Sequence, residues 1–382
     1  MSTAPEHAGT EQLRRELEQV VGDGAGLPAF DRERLLRWAR AASAAAPPTR
    51  VQGPVEAPHD SDIDRPPEPG SAAEAGALEL GRASLRKGEV ACVVLAGGMA
   101  TRMGGVVKAL VEALPGRSFL DLRLEQQARW AAHGWRVPLW LMTSHATDDP
   151  IRRRLGPLLA DDGLATFPQD SSLRLTPEGG LFHDAEGHVQ PYATGHGDLP
   201  DALRRSGLLS RFIERGGRSL LIANLDNLAA DIDPVLLGWH LAHGAALTVE
   251  IVAKEGGDRG GGPVRWGDRT VVLEDVRLPP GFDTGSVPYF STNTFWADAQ
   301  ALAALSFEWT YARVEKQVEG RTAIQFERIL NELTRALPSR YLLVPRAGTR
   351  GRFLPVKDEP ELARRRPEIE RLFDAASRGG AA

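Results

Sequence analysis

The chain has 382 residues, 42% of them hydrophobic, a formal net charge of −5 and a pI near 6.0. It is long enough for one large or two ordinary domains with a sizeable core, and it lacks the bulk positive charge that would draw it to nucleic acid or an anionic membrane. A single cysteine, Cys92 in the apolar run "VACVVLA", excludes an internal disulfide and reads as a buried thiol in a reducing compartment.

In chain order, residues 1–45 read as N-terminal helices, with Leu13, Leu17 and Val20 on one face of the first and Leu35, Leu36 and Trp38 in the second. The first 25 residues carry charges where a signal peptide needs an apolar block, and no apolar stretch nears the ~20 residues that cross a bilayer. A cytoplasmic protein, neither exported nor anchored, is therefore expected. Residues 46–87 are dense in Pro, Gly, Ala and acids and read as an extended connector.

From 88 to 345 the pattern alternates. Strands are predicted from Val90 to Leu95, Val137 to Thr143, Ser219 to Ala223 and Leu247 to Ala253; helices from Phe119 to His133, Pro150 to Leu159, Pro234 to His243 and Ile324 to Leu337. Such alternation predicts an α/β fold, a Rossmann-like, mixed but mostly parallel sheet with helices on both faces. "VRWGDRTVVLED" interrupts it as an inserted β-hairpin turning at Gly267-Asp268. Residues 346–382 carry "RFLPVKD" and a charged terminal helix.

The stretch "VVLAGGMATRMGGVVKALVE", residues 93–112, is the first candidate site. A loop leaving the carboxyl end of a strand is where such sheets bind ligands. Gly97 and Gly98 let backbone N–H groups approach an anion, and Arg102 and Lys108 add positive charge. Neither the Gly-Lys-Ser/Thr of a P-loop nor Gly-x-Gly-x-x-Gly is present. A second candidate is "LLIANLDNLAA", in which Asp226 leaves the end of an apolar strand and could ligate Mg²⁺, the alternative being an Asx turn that caps the next helix.

"LAGGMATRMG" with Lys108, "FPQD" (167–170), "GHGD" (195–198), "ANLDNLAADID" (223–233), "STNTFW" (291–296), "AIQFER" (323–328) and "RFLPVKD" (352–358) together resemble the UDP-sugar pyrophosphorylase family. The resemblance covers about residues 88 to 358 and implies a nucleotidyltransferase core. The implied reaction is attack by a sugar-1-phosphate, glucose-1-phosphate above others, on the α-phosphorus of UTP, giving UDP-sugar and pyrophosphate. An N-acetylhexosamine or other hexose phosphate, or a non-catalytic UDP-sugar sensor, stays open. A phosphate monoester is already a nucleophile, and the two substrates bring roughly five or six negative charges, so positioning and charge neutralisation carry the chemistry.

By the same resemblance Arg102, Lys108 and Lys357 are the catalytic cations, and Asp226 holds Mg²⁺. Leu95, Ala96, Gly97, Gly98, Gln169, Gly195 and His196 bind the nucleotide, Gln169 at the uracil edge. Asn224, Gly261, Glu274 and Asn293 take the sugar. Ala100, Val107 and Ser291 depart from the family's Gly, Pro and Asn. The expected partners are UTP and the sugar phosphate alone, with no nucleic acid or membrane, for a monomer or small homo-oligomer.

Overall fold

The computed structural model describes residues 11, 13–19, 27–43, 50–100 and 103–378. At its centre is an eight-stranded sheet whose strands we number in chain order: β1 (Ile63–Asp64), β2 (Val90–Leu95), β3 (Leu139–Thr143), β4 (Leu164–Pro168), β5 (Ser219–Asn224), β6 (Leu247–Ala253), β7 (Tyr289–Asp298) and β8 (Ser339–Leu343). Their spatial order is β1-β8-β6-β7-β5-β2-β3-β4. All neighbours are parallel except β7, which runs antiparallel to both β5 and β6. The expected mixed, mostly parallel α/β sheet is thus present.

Alternation along β2 shows how the sheet makes two cores. Val90, Cys92 and Val94 face one side, with Leu120, Leu237 and Phe373. Ala91 and Val93 face the other, with Leu203, Phe212 and Leu302. Cys92 is buried, and its thiol is pushed up to about 12 by desolvation, so it is an inert core group.

Two predicted elements need correction. Residues 72–87 of the expected extended connector form a helix, Ala72–Lys87, with Ser71 as N-cap accepting the Glu74 N–H and Gly88 closing the end at φ +74°. Among the described residues, the rest of that segment supplies short pieces: Val55–Glu56, a 3₁₀ turn, Asp60–Asp62, and β1. The predicted helix from Ile324 to Leu337 is instead a strand, Arg321–Glu327, paired with Ala312–Val318, then a 3₁₀ turn, Leu330–Glu332, and a short helix, Leu333–Ala336. Glu319 and Gly320, both at positive φ, turn the chain and make the hairpin possible. Antiparallel β7 has no counterpart among the predicted strands, because "STNTFW" in the sequence reads as ligand contacts.

The predicted hairpin at 267–268 forms between Gly262–Trp266 and Arg269–Leu273, with Val55–Glu56 as a third strand. Of the N-terminal helices, Leu13, Leu17, Leu35, Leu36 and Trp38 pack on Leu175, Tyr192 and Phe326; Val20 lies outside the described residues. The terminal helix, Glu359–Arg378, buries Leu362, Ile369 and Phe373 in the first core.

Candidate active site

Strands β2 and β5 run in register from Val90 beside Ser219 to Leu95 beside Asn224. The glycine loop and the Asn224–Asp226 segment therefore leave the sheet side by side, at its carboxyl edge. There they form the floor of a cavity of about 530 Å³.

Lys108 Nζ lies 2.7 Å from Asp226 Oδ2, which also accepts the Val356 N–H at 3.3 Å. The following helix is capped by Asp233, whose Oδ1 accepts from Val235 and Leu236 N–H. Asp226 is therefore not a helix cap. Buried Arg123 fixes the loop it stands on by donating to the carbonyls of Asn224, Leu225, Asn227 and Ala230. Asn227 then docks the distant "RFLPVKD" segment: Nδ2 donates to the Arg352 carbonyl and Oδ1 accepts from Leu354 N. Arg352 grips Glu250 with two bonds, 2.9 and 2.7 Å, inside the sheet. This anchorage brings Lys357, an exposed side chain, to the cavity rim.

The glycine loop departs in detail from expectation. Gly98 has open space where a Cβ would stand, consistent with backbone left free for an anion, whereas a Cβ on Gly97 would come 2.0 Å from Gln169 Nε2. Gly97 therefore also makes room for the Gln169 amide. Ala96 is buried in the core and does not line the cavity. Ala100 and Val107 are buried too, closing the loop through backbone pairing of Met99–Ala100 with Val106–Val107. Arg102 lies outside the described residues.

On the nucleotide side, Gln169 is 5% exposed and its Oε1 is buried with no hydrogen-bond partner. Such an orphan acceptor is costly unless a ligand donates to it. Gly195, at φ +104°, packs against the Arg328 backbone, where a Cβ would come 2.4 Å from a carbonyl oxygen. His196 Nδ1 accepts the Leu330 N–H at 2.9 Å, and burial pushes this imidazole down to about 4. It is neutral at pH 7, with its proton on Nε2. His196 is a hydrogen-bonding group and not a base.

Beneath these loops Arg328 contacts three carboxylates. It reaches Asp170 Oδ2 at 3.2 Å and also pairs with Asp201, while its Nε–H bonds the Tyr311 hydroxyl at 2.7 Å. The 3.0 Å approach of Nε to Asp198 Oδ1 is therefore a charge contact without a hydrogen bond. Asp198 is pushed up to about 7, first by desolvation and then by Asp170.

On the sugar side, β7 bulges against β6: Glu250 opposes Thr294 and Ile251 opposes Ser291, so Thr292 and Asn293 are extra. Asn293 takes φ +55°, a left-handed angle that asparagine tolerates, and faces the cavity. Its Nδ2 donates to Asn224 Oδ1 at 2.8 Å, and its Oδ1 is a second orphan acceptor. Gly261 and Glu274 complete this wall.

The cavity thus gathers Leu95, Gly97, Gly98, Lys108, Gln169, Gly195, His196, Asn224, Asp226, Gly261, Glu274, Asn293 and Lys357 from the expected set. Sequence reasoning missed Asn331 and the aromatic pair Phe290 and Phe353, whose rings meet at 5.7 Å.

Several known proteins are similar to this chain. A relative named UTP–glucose-1-phosphate uridylyltransferase from Encephalitozoon cuniculi (strain GB-M1) is 28% identical over 294 residues, 73% of this chain and 58% of that protein. One of the same name from Musa acuminata is 28% identical over 347 residues, 85% and 71% respectively. The chain thus spans about three fifths of the length of the first of these. Among solved structures, the UDP-glucose phosphorylase of Trypanosoma brucei shares the fold at a TM-score of 0.74 and 21% identity, over 93% of this chain and 78% of that one. A UDP-glucose pyrophosphorylase mutant of Leishmania major, solved with UDP-glucose, gives 0.70 and 20%, over 95% and 79%. Residues 62–367 match the sequence family described as UTP–glucose-1-phosphate uridylyltransferase, and to that family the chain belongs.

Proposed function

We propose that this chain transfers the uridylyl group of UTP to a sugar-1-phosphate, glucose-1-phosphate in the first place, as the names of its relatives suggest. A phosphate oxygen of the sugar-1-phosphate attacks the α-phosphorus of UTP; the bond from that phosphorus to the bridging oxygen breaks, and pyrophosphate leaves with its electron pair. The observation that carries the reading is the placement of two orphan acceptors, Gln169 Oε1 and Asn293 Oδ1, in a cavity whose floor holds Lys108 and Asp226 and whose rim holds Lys357. Uracil N3–H is a donor suited to Gln169, and sugar hydroxyls are donors suited to Asn293.

Lys108 and Lys357 neutralise phosphate charge in this reading, and His196 Nε2–H adds a neutral donor. Arg102 joins them on sequence grounds alone. Asp226 is the residue that would hold Mg²⁺. Among the described residues no three His, Cys, Asp or Glu side chains converge on a metal position, so the donor set fits an ion that takes most of its ligands from phosphate and water and one from a protein carboxylate. Such an ion would supply charge neutralisation at the phosphates.

A pyrophosphate-release assay with UTP, CTP, ATP and GTP against glucose-, galactose- and N-acetylglucosamine-1-phosphates tests the reading. UTP with glucose-1-phosphate is expected to be fastest, and Gln169→Ala is expected to lose most of the preference for UTP over CTP. Absence of pyrophosphate with every pair would overturn it.

A further inference from the structure

Between the hairpin wall and the β7 bulge stands a polar side chain that the reaction chemistry has not used. Asn331, on the 3₁₀ turn Leu330–Glu332, lines the cavity and is 4% exposed. Its Oδ1 accepts the Ser291 hydroxyl at 3.2 Å, and its Nδ2 donates to Glu274 Oε1 at 2.6 Å. Ser291 Oγ in turn accepts the Asn293 N–H at 3.3 Å. One carboxamide thus joins the two walls that face the sugar.

The turn itself is held. The Asn331 carbonyl accepts the Thr334 hydroxyl at 2.7 Å, Thr334 Oγ1 accepts the Val272 N–H at 3.0 Å on the hairpin, and Leu330 N binds His196. Asn331 is therefore placed by contacts that do not depend on its own amide.

We propose that Asn331 is a positioning residue that sets sugar specificity: its amide fixes the Glu274 carboxylate as an acceptor for hexose hydroxyls and couples it to Ser291 and Asn293. This rests on the uridylyltransferase reading of the site. The chemistry follows from what surrounds Glu274. Burial raises this carboxyl above its ordinary range, and the like charges Asp275 and Glu332 push the same way, Glu332 being paired with Arg277 and Arg335. The Asn331 bond is the largest opposing influence, followed by the Gly261 N–H. Without it Glu274 takes up a proton at higher pH and loses the charge-assisted bonds an ionised carboxylate makes to hydroxyls.

Two variants test this in the full chain. Asn331→Ala is expected to raise KM for glucose-1-phosphate about tenfold, the size of one hydrogen bond to a charged group, while KM for UTP stays within about twofold. The acid limb of its kcat/KM profile for the sugar phosphate should move to higher pH. Asn331→Asp keeps the shape but sets two carboxyls side by side, which share a proton at low pH; its penalty is expected to be smaller at pH 6 than at pH 8. A merely structural role predicts losses without pH dependence. Calorimetry with UDP and UDP-glucose gives a readout that needs no turnover: Asn331→Ala should bind UDP as the wild type does and UDP-glucose about tenfold more weakly. Parallel changes in both KM values, or unchanged UDP-glucose affinity, overturn the proposal alone. If the wild-type chain binds neither UDP nor UDP-glucose, the reading of the site falls and the proposal with it.

Discussion

The carboxylate of Asp226 meets Lys108 and the Val356 N–H, and the cap of the next helix belongs to Asp233. These contacts decide what Asp226→Asn should do. If Asp226 holds a cation against the phosphates, the isosteric amide removes charge that is needed most as pyrophosphate departs. Turnover is expected to fall on the order of a hundredfold, equivalent to roughly 3 kcal/mol of transition-state stabilisation, with a smaller effect on KM for UTP. Thermal stability should change little, because the isosteric amide oxygen can still accept from Lys108 and from the Val356 N–H and the apolar packing of the strand is untouched. Steady-state rates at saturating Mg²⁺ alongside thermal melts check both expectations, and turnover near the wild-type value would remove Asp226 from the chemistry. Most positions around Asp226 were legible in sequence because each sits at a strand end in a short polar motif. Asn331 was not, since its surroundings "RILNELTRAL" show an apolar spacing that suits a helix as well as the turn they form.

At the scale of elements, the helix Ala72–Lys87 crosses the helix Pro234–His243 at very short range. A Cβ on Gly81 would lie 1.9 Å from the Pro234 carbonyl oxygen, and one on Gly238 would lie 1.8 Å from that of Ala77. Glycine ordinarily costs a helix about 0.5–1 kcal/mol relative to alanine, so its presence here is explained by the crossing. Gly76, five residues earlier on the same helix, meets nothing within 4 Å. Gly76→Ala is therefore expected to raise the melting temperature slightly, and Gly81→Ala or Gly238→Ala to lower it by several degrees, as overpacking that costs about 1–3 kcal/mol does. Equal melting temperatures for Gly76→Ala and Gly81→Ala would show that the helices part without cost. The first helix was readable from Ser71, Glu74 and the alanines between and after them, a capping signature that the prolines around it outweighed in a reading by composition. The strand Arg321–Glu327 was readable from its Glu319-Gly320 turn, yet its apolar residues also fit a helix, and only pairing with Ala312–Val318 decides between the two.

At the scale of the whole molecule, the fold buries titratable groups of both kinds, and their balance sets how stability depends on pH. Burial pushes His196 and His240 down to about 4 each, and lowers His145 as well. An unfolded chain protonates these imidazoles near pH 6.5 while the folded one keeps them neutral, so their contribution is present above pH 6.5 and is lost as pH falls towards 4. Asp198, pushed up to about 7, and Glu274, raised by burial, act in the opposite sense: the folded state keeps protons that the unfolded state has released, which favours folding as pH falls. The imidazole of His240 by itself leaves the unfolded chain with nearly one extra proton between about pH 4.5 and 6, a share that raises folding free energy by about 1 kcal/mol per pH unit across that window. His240 offers the cleanest check. It is 3% exposed, its Nδ1 contacts Thr248 Oγ1 at 2.8 Å, and it stands apart from the cavity. His240→Gln retains a polar group for Thr248 and removes this titration, so its stability should rise less steeply with pH there, by about 1 kcal/mol per unit. Urea unfolding of the two proteins at half-unit steps measures the slopes, and parallel lines would mean that His240 takes up its proton in the folded chain as readily as in the unfolded one.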